Sequence, residues 1–510
     1  MLMDMMTRRD FLERFGAVSG TAAMMAAMTS WDLLAQQVAS RPVLTGRPKN
    51  NRVVVLGAGL SGLAVGYELG KLGYDYRVLE ARERVGGVSW TVRRGSEHTE
   101  TGEGGERQVC AFDDNQYLNA GPWRIPHNDT GVLDYCKELG VPLQLFVNDN
   151  DASYFFYERA EIGPLKGKRV RMREVVADLA GYTNEILAKA IDQQKLDLPL
   201  TKEDKERLVT YLVSEGYLDA EDHAYRGSTA RGPGDPHGFS ALLQSGFGNR
   251  LRAVQGGTGA APVFQPIGGM DMIPRAFHRA MGDKVTLGAD VQSVHQSADG
   301  VRVAYIETKG GKHRELPADF VVACMPLSVL RGIDINLSPE MMATVKGTTY
   351  SASGKMGLQM RRRFWEEDDG IFGGHLYSDL PLGEFSYPSN DFLTSKGVLL
   401  GFYGNGRMSN LHERPVKDRV EHVLANASKV HPQMRTEFES AYAVWWDKIK
   451  YSAGAYAGGG GSDRVERLSK PDNRIFIGCA AASRRAAWQQ GAFEAAWQAL
   501  RLLHERAMHA

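Results

Sequence analysis

The stretch Asn51–Gly87, NRVVVLGAGLSGLAVGYELGKLGYDYRVLEARERVGG, decides how the chain folds. Val53–Leu56 is a short apolar run bounded by glycine and reads as a buried strand. Gly57, Gly59 and Gly62 follow at the spacing GxGxxG, and Leu60–Leu72 reads as a helix stopped at Gly73. Tyr76–Leu79 reads as a second strand and ends at Glu80, 18 residues after the third glycine. Strand, glycine turn, helix, strand and acid in this register predict a βαβ dinucleotide site. Each part has a task. Gly57 permits the tight turn, Gly59 lets the backbone approach a pyrophosphate, and Gly62 lets helix and strand pack closely. The helix N-terminus offers free N–H groups and the positive end of its dipole to the phosphates. Glu80 can accept hydrogen bonds from ribose hydroxyls.

Outward from this unit, 510 residues exceed what one core accommodates and predict two or three domains. Hydrophobic residues make up 43% and charged residues 24%, the proportions of a soluble globular protein. The 61 basic and 61 acidic residues cancel, which argues against a nucleic-acid binder. Cys110, Cys136, Cys324 and Cys479 are widely separated with no CxxC, so neither a zinc site nor a disulfide framework is indicated. No run of about 18 apolar residues appears, and no spanning helix is expected. The N-terminal TRRDFLERFGAVSGTAAMMAAM (Thr7–Met28) is similar to a twin-arginine export signal. Residues 1–45 are therefore set apart as a leader. A periplasmic or secreted destination follows, and the low cysteine use suits folding in a reducing cytoplasm before export.

The residues after Glu80 carry a resemblance. EARERVGG, with Arg82, Arg84, Gly86 and Gly87, resembles the pattern of the flavin amine oxidases, in which a basic residue and a Gly-Gly turn follow the acid beside the FAD pyrophosphate. PIGGMDMIPRAF (Pro266–Phe277) resembles the family's second landmark. Val285–Pro326 resembles its third, with alternating Val301, Val303 and Tyr305, a Gly310-Gly311 hairpin turn and the apolar run Phe320–Cys324. RIFIGCAAASRRAAWQQGAFEAAWQALRLL (Arg474–Leu503) resembles its closing strand and helix. The resemblance implies an α/β fold. A discontinuous Rossmann-type FAD-binding domain would take residues 48–118, 262–330 and 465–510. A mixed-sheet substrate-binding domain would take 119–158 and 331–464, and a helical insertion 159–261. It also implies cofactor contacts from Gly57, Gly59, Ser61 and Gly62, from Glu80, Ala81 and Arg82, and from Gly86 and Gly87. Further contacts would come from Gly121, Pro122, Trp123 and Arg124, from Val291 beside the adenine, and from Gly478 and Trp488. Three positions depart from the pattern. Val88 replaces an arginine that Arg93 or Arg94 would have to compensate, Cys479 replaces an acid after Gly478, and Lys450 replaces a proline.

On the substrate side, LNAGPWRIP (Leu118–Pro126) resembles the segment in which L-amino acid oxidases grip the substrate carboxylate. Arginine suits that task because its planar fork donates two parallel hydrogen bonds and stays charged. The other reading of Arg124 is a pair with a protein carboxylate or a phosphate. His127 is a base or a pocket-shaping residue. Lys355, in Tyr350–Pro381, matches a flavin-facing lysine. In the strand Gly397–Gly406 either Phe402 or Tyr403 meets the substrate: alignment prefers Phe402, the hydroxyl favours Tyr403, and neighbours on a strand face opposite ways. Trp488 matches an aromatic beside the flavin in L-amino acid oxidases, and the resemblance implies a substrate contact from its neighbour Ala487 as well. Residues 159–261 read as helices (Met172–Gln194, Thr201–Leu218) and a loop at 227–236 that would shape the entrance. The resemblance implies FAD-dependent oxidation of an L-amino acid by O2 to a 2-oxo acid, ammonia and hydrogen peroxide, in a homo-oligomer, a dimer or larger. The competing readings are an L-amino acid 2-monooxygenase, an amine or polyamine oxidase, and a protein that only holds FAD.

Overall fold

Five parallel strands form the sheet that Asn51–Gly87 begins. In spatial order they are Val285–Leu287, Asp75–Glu80, Arg52–Leu56, Phe320–Ala323 and Ile475–Ile477. Val53–Leu56, Phe320–Ala323 and Ile475–Ile477 are apolar without alternation because both faces are covered. Val53, Val55, Val78, Phe320 and Val322 pack under the helices Leu60–Lys71, Met272–Met281 and Gln489–Met508. Val54, Leu56, Leu79, Val321 and Ala323 pack against Ala289, Val294 and Val303 of a four-stranded sheet. That second layer contains the hairpin Val301–Glu307/His313–Ala318, whose turn holds Gly310 and Gly311 at positive φ. This computed structural model describes residues 40–48, 52–102, 104–158, 163–193, 201–248, 262–405, 408–458 and 461–509. The leader motif lies outside the described residues. Leu44–Ala510 forms one compact unit, distinct from the preceding residues. Among the described residues no helix is long and apolar enough to cross a membrane.

A seven-stranded mixed sheet is the other large element. Its order is Val170–Arg171, Tyr154–Phe156, His375–Ser378, Phe385–Ser386, Gly397–Asn405, Ser353–Met360 and Phe438–Trp445. The pair Tyr154–Phe156/His375–Ser378 is parallel and the others are antiparallel. Alternation along the strands splits the side chains between two cores. Ala443 and Trp445 join Met356, Leu358 and Phe402 on one side, while Tyr442 and Val444 join Val398, Leu400 and Phe112 on the other. The register shifts between Met356 and Gly357, where Phe402 and Leu400 are the successive partners and Gly401 is the extra residue. This bulge reverses the alternation. Leu400 and Phe402, two apart, therefore lie in different cores.

The helices Met172–Asp192 and Lys202–Gly216 pack through Ala188, Ile191 and Leu212. The loop after them is tied to fully buried Asp178, which accepts from Arg231 Nε at 2.9 Å, the Tyr225 hydroxyl at 2.8 Å and the His237 N–H at 2.8 Å.

Candidate functional site

A cavity of about 550 Å³ is lined from both sheets. At the first sheet the wall is the glycine turn. Gly57 sits at φ +95°, and its N–H donates to Leu79 O at 2.7 Å. A Cβ on Gly59 would meet no protein atom within 4 Å, so its side faces open space. Gly59 caps the helix Leu60–Lys71 with no side-chain hydrogen bond, which leaves the first-turn N–H groups for a ligand. Glu80 is buried; its carboxylate accepts from the Ala58 N–H at 2.8 Å and the Arg82 N–H at 3.0 Å, binding strand to turn. Ala81, Arg82, Gly86, Gly87, Ser61 and Val291 continue the wall. A glycine turn open to the cavity, a helix N-terminus and a buried acid fit the diphosphate and ribose of a dinucleotide.

The second sheet and the segment Ala120–Arg124 close the other side. Lys355 is 2% exposed; Nζ donates to the carbonyls of Gly121 at 2.5 Å and Asn119 at 3.2 Å. Nζ stands 4.5 Å from the Trp123 ring centre and 4.7 Å from that of Tyr403. Burial drives the Lys355 ammonium well below its ordinary range; Glu384 acts upward and Arg124 further downward. The amine is thus pushed toward neutrality. Arg124 lines the cavity against the Trp123 ring, 5.1 Å from its centre. Its Nη1 donates to Asn148 Oδ1 at 3.2 Å and approaches His375 Nε2 at 3.4 Å. Its Nε is buried without a hydrogen-bond partner. Glu384 Oε2 lies 4.0 Å from Nη1, with no hydrogen bond between the two groups. Tyr403, Ala487 and Trp488 complete this end, and burial raises the Tyr403 hydroxyl to about 12.

Several sequence readings are corrected. His127 is exposed and outside the cavity, so the geometry gives it no catalytic position. Phe402 is fully buried in the opposite core, stacked on Trp445 at 5.5 Å, because the Gly401 bulge turns Tyr403 to the cavity instead. Gly62 does not line the cavity: a Cβ there would stand 1.9 Å from Gly57 O, and its task is packing. Gly478 is likewise a packing residue, since its Cβ would meet Cys324 Sγ at 2.9 Å. Arg93 is held by Asp271 and Arg94 by Asp113 and Asp114, so neither compensates for Val88. None of the described residues of 159–261 lines the cavity. Asn148, His375 and Glu384 were missed. They reach Arg124 through tertiary packing, and no local motif marks them.

A sequence model of the family described as flavin containing amine oxidoreductase matches residues 60–503. The chain is 29% identical over 430 residues to an L-amino-acid oxidase of Gloydius halys, covering 80% of this chain and 79% of the relative. It is 28% identical over 461 residues to the L-amino-acid oxidase of Vipera ammodytes ammodytes, covering 85% and 88%. Among solved structures, a redesigned putrescine oxidase superposes with a TM-score of 0.60 at 20% identity, covering 89% of this chain and 99% of its own. Cyclohexylamine oxidase from Brevibacterium oxydans superposes at 0.59 with 18% identity, covering 90% and 99%.

Proposed function

The chain belongs to the flavin-containing amine oxidoreductases, and from that membership we propose that it is an FAD-dependent L-amino acid oxidase. The overall conversion is L-amino acid, O2 and water to 2-oxo acid, ammonia and hydrogen peroxide. The observation that carries the reading is Arg124, a guanidinium on the cavity wall beside Trp123 with its Nε unsatisfied. A substrate α-carboxylate would supply the missing acceptor, and charge-assisted bonds of this kind are the strong ones. The relatives named L-amino-acid oxidase support it.

Bound FAD supplies the two-electron acceptor for the Cα–N bond and the donor to O2, and the residues supply position and charge. Gly57, Gly59 and the first-turn N–H groups would hold its diphosphate, and Glu80 a ribose. Arg124 fixes the carboxylate, and the rings of Trp123, Tyr403 and Trp488 confine the rest and exclude water. Lys355 Nζ, held by two carbonyls and pushed toward neutrality, can take up or release a proton at the cavity wall.

The test is anaerobic bleaching of the purified yellow protein with the L-amino acids and with simple amines. Replacing Arg124 with Met should raise KM for L-amino acids roughly 10- to 150-fold, as follows from losing about 1.5–3 kcal/mol of charged hydrogen bonding. An unchanged KM would refute carboxylate capture. Recovery of a carboxamide in place of the 2-oxo acid would assign the monooxygenase outcome. One observation favours a second reading, an amine oxidase. Glu384, beside Arg124 though outside the cavity lining, partly offsets the guanidinium and so weakens its preference for an anion. Bleaching by amines alone would select it. Residues 1–45 are proposed as a twin-arginine leader; retention of the protein in the cytoplasm of a host with an intact twin-arginine pathway would count against export.

A further inference from the structure

We propose that Glu384 sets the substrate class to L-amino acids with a cationic side chain, its carboxylate balancing that second charge while Arg124 takes the α-carboxylate. This inference rests on the amino acid oxidase reading. An acid beside the group that must capture an anion needs a reason. Glu384 is placed there by the backbone: its N–H donates to Tyr403 O at 2.7 Å, and Gly383 is bridged to the same residue. Its carboxylate is not consumed by Arg124. The closest approach is 4.0 Å, no hydrogen bond forms, and Oε2 is buried without a hydrogen-bond partner. Arg124 instead bonds Asn148, and its own Nε has no partner. Two opposite charges thus stand side by side, Arg124 on the cavity wall and Glu384 next to it but outside the cavity lining, each with an atom that lacks a hydrogen-bond partner.

The charge count then discriminates between substrates. Arg124 and Glu384 sum to zero. Burial opposes a charge on Lys355, whose Nζ is already committed to the carbonyls of Gly121 and Asn119, and burial keeps Tyr403 a phenol. An amino acid is oxidised with its α-amine unprotonated, so a substrate with an apolar side chain brings a net negative charge. A dicarboxylic substrate brings two. Lysine, ornithine or arginine brings none, and is the class that leaves a site of low dielectric neutral. The Glu384 side chain is 34% exposed, and Oε2 can swing toward a flexible cationic chain without breaking a hydrogen bond of its own. If Glu384 merely damped Arg124, its removal would help every amino acid alike.

The experiment measures oxygen consumption by the holoenzyme with L-lysine, L-ornithine, L-norleucine, L-glutamate and putrescine. L-Norleucine has the lysine chain without its amine. The expected result is a kcat/KM for L-lysine or L-ornithine at least about tenfold above that for L-norleucine, with L-glutamate the poorest. Glu384→Gln should lower the lysine-to-norleucine ratio at least about tenfold, and Glu384→Asp, which keeps the charge, should retain most of it. A wild-type ratio near or below one overturns the inference while leaving the amino acid oxidase reading intact, and needs no variant to fold. A ratio unmoved by Glu384→Gln does the same. Oxidation of putrescine but of no amino acid overturns both.

Discussion

Gly59 and Gly62 stand three positions apart in one motif, yet their missing side chains serve different ends. A Cβ on Gly62 would lie 1.9 Å from Gly57 O and 3.2 Å from Cys324 Cβ, so the turn or the helix would have to move. A Cβ on Gly59 would touch no protein atom within 4 Å, and its φ of −69° suits any residue. The two alanine variants should therefore separate fold from cofactor. Gly62→Ala is expected to destabilise the apoprotein by about 1–3 kcal/mol, the usual result of overpacking, and to lose flavin with it. Gly59→Ala is expected to leave the apoprotein melting temperature within about 1 °C, since nothing is overpacked, while flavin content falls because the methyl occupies cofactor space. Thermal melts of flavin-stripped protein and the visible absorbance of reconstituted protein check the pair. Equal losses of stability in both variants would contradict the assignment.

At the scale of the element, the strand Gly397–Asn405 shows where local pattern stops being informative. Its existence follows from the apolar run, and so do Arg52–Leu56, the helix ended at Gly73 and the hairpin around Gly310-Gly311. Those features are decided by residues within a few positions of one another, which the chain order displays. The facing of Phe402 and Tyr403 is decided by a bulge at Gly401 against Met356 and Gly357 of another strand, and chain order does not display it. The same limit hides Glu384, Asn148 and His375, which join Arg124 across gaps of 24 to 260 residues, whereas Arg124, Lys355 and the glycine turn sit in recognisable segments. The strand predicts a crossed pair of phenotypes. Phe402→Ala empties a fully buried site stacked on Trp445 and should cost about 3–5 kcal/mol of stability, read by denaturant unfolding. Tyr403→Phe removes one cavity hydroxyl; it should raise KM roughly two- to tenfold, about 0.5–1.5 kcal/mol, with little change in unfolding. The opposite pattern would place Phe402 at the substrate.

Across the whole molecule, two buried groups make stability respond to acid in opposite directions. His98 lies between Trp90 and Tyr442, its Nδ1 2.6 Å from the Tyr442 hydroxyl, so that the hairpin carrying it is pinned to the last strand of the seven-stranded sheet. Burial lowers its pKa to about 4; Glu100 acts upward and Arg419 and Arg84 further downward. A depressed histidine contributes its full stabilisation above the unfolded value of about 6.5 and loses it as pH falls toward 4. Asp129, 1% exposed and paired with Arg485 beneath the Ala486–Trp488 wall, is raised by burial to about 6, with Arg485 opposing. A raised carboxyl behaves the other way: its contribution is complete below the unfolded value of about 3.8 and is lost as pH rises through 6. Between pH 4 and 6.5 the two partly cancel, each worth up to about 1.4 kcal/mol per pH unit for one proton. The slope of stability against pH is therefore the informative quantity, because either substitution also changes the baseline. His98→Gln should flatten the loss of stability on acidification, and Asp129→Asn should steepen it. Urea unfolding at half-unit intervals from pH 4 to 7 measures both slopes, and slopes that shift in the same direction would show that these two groups do not govern the window.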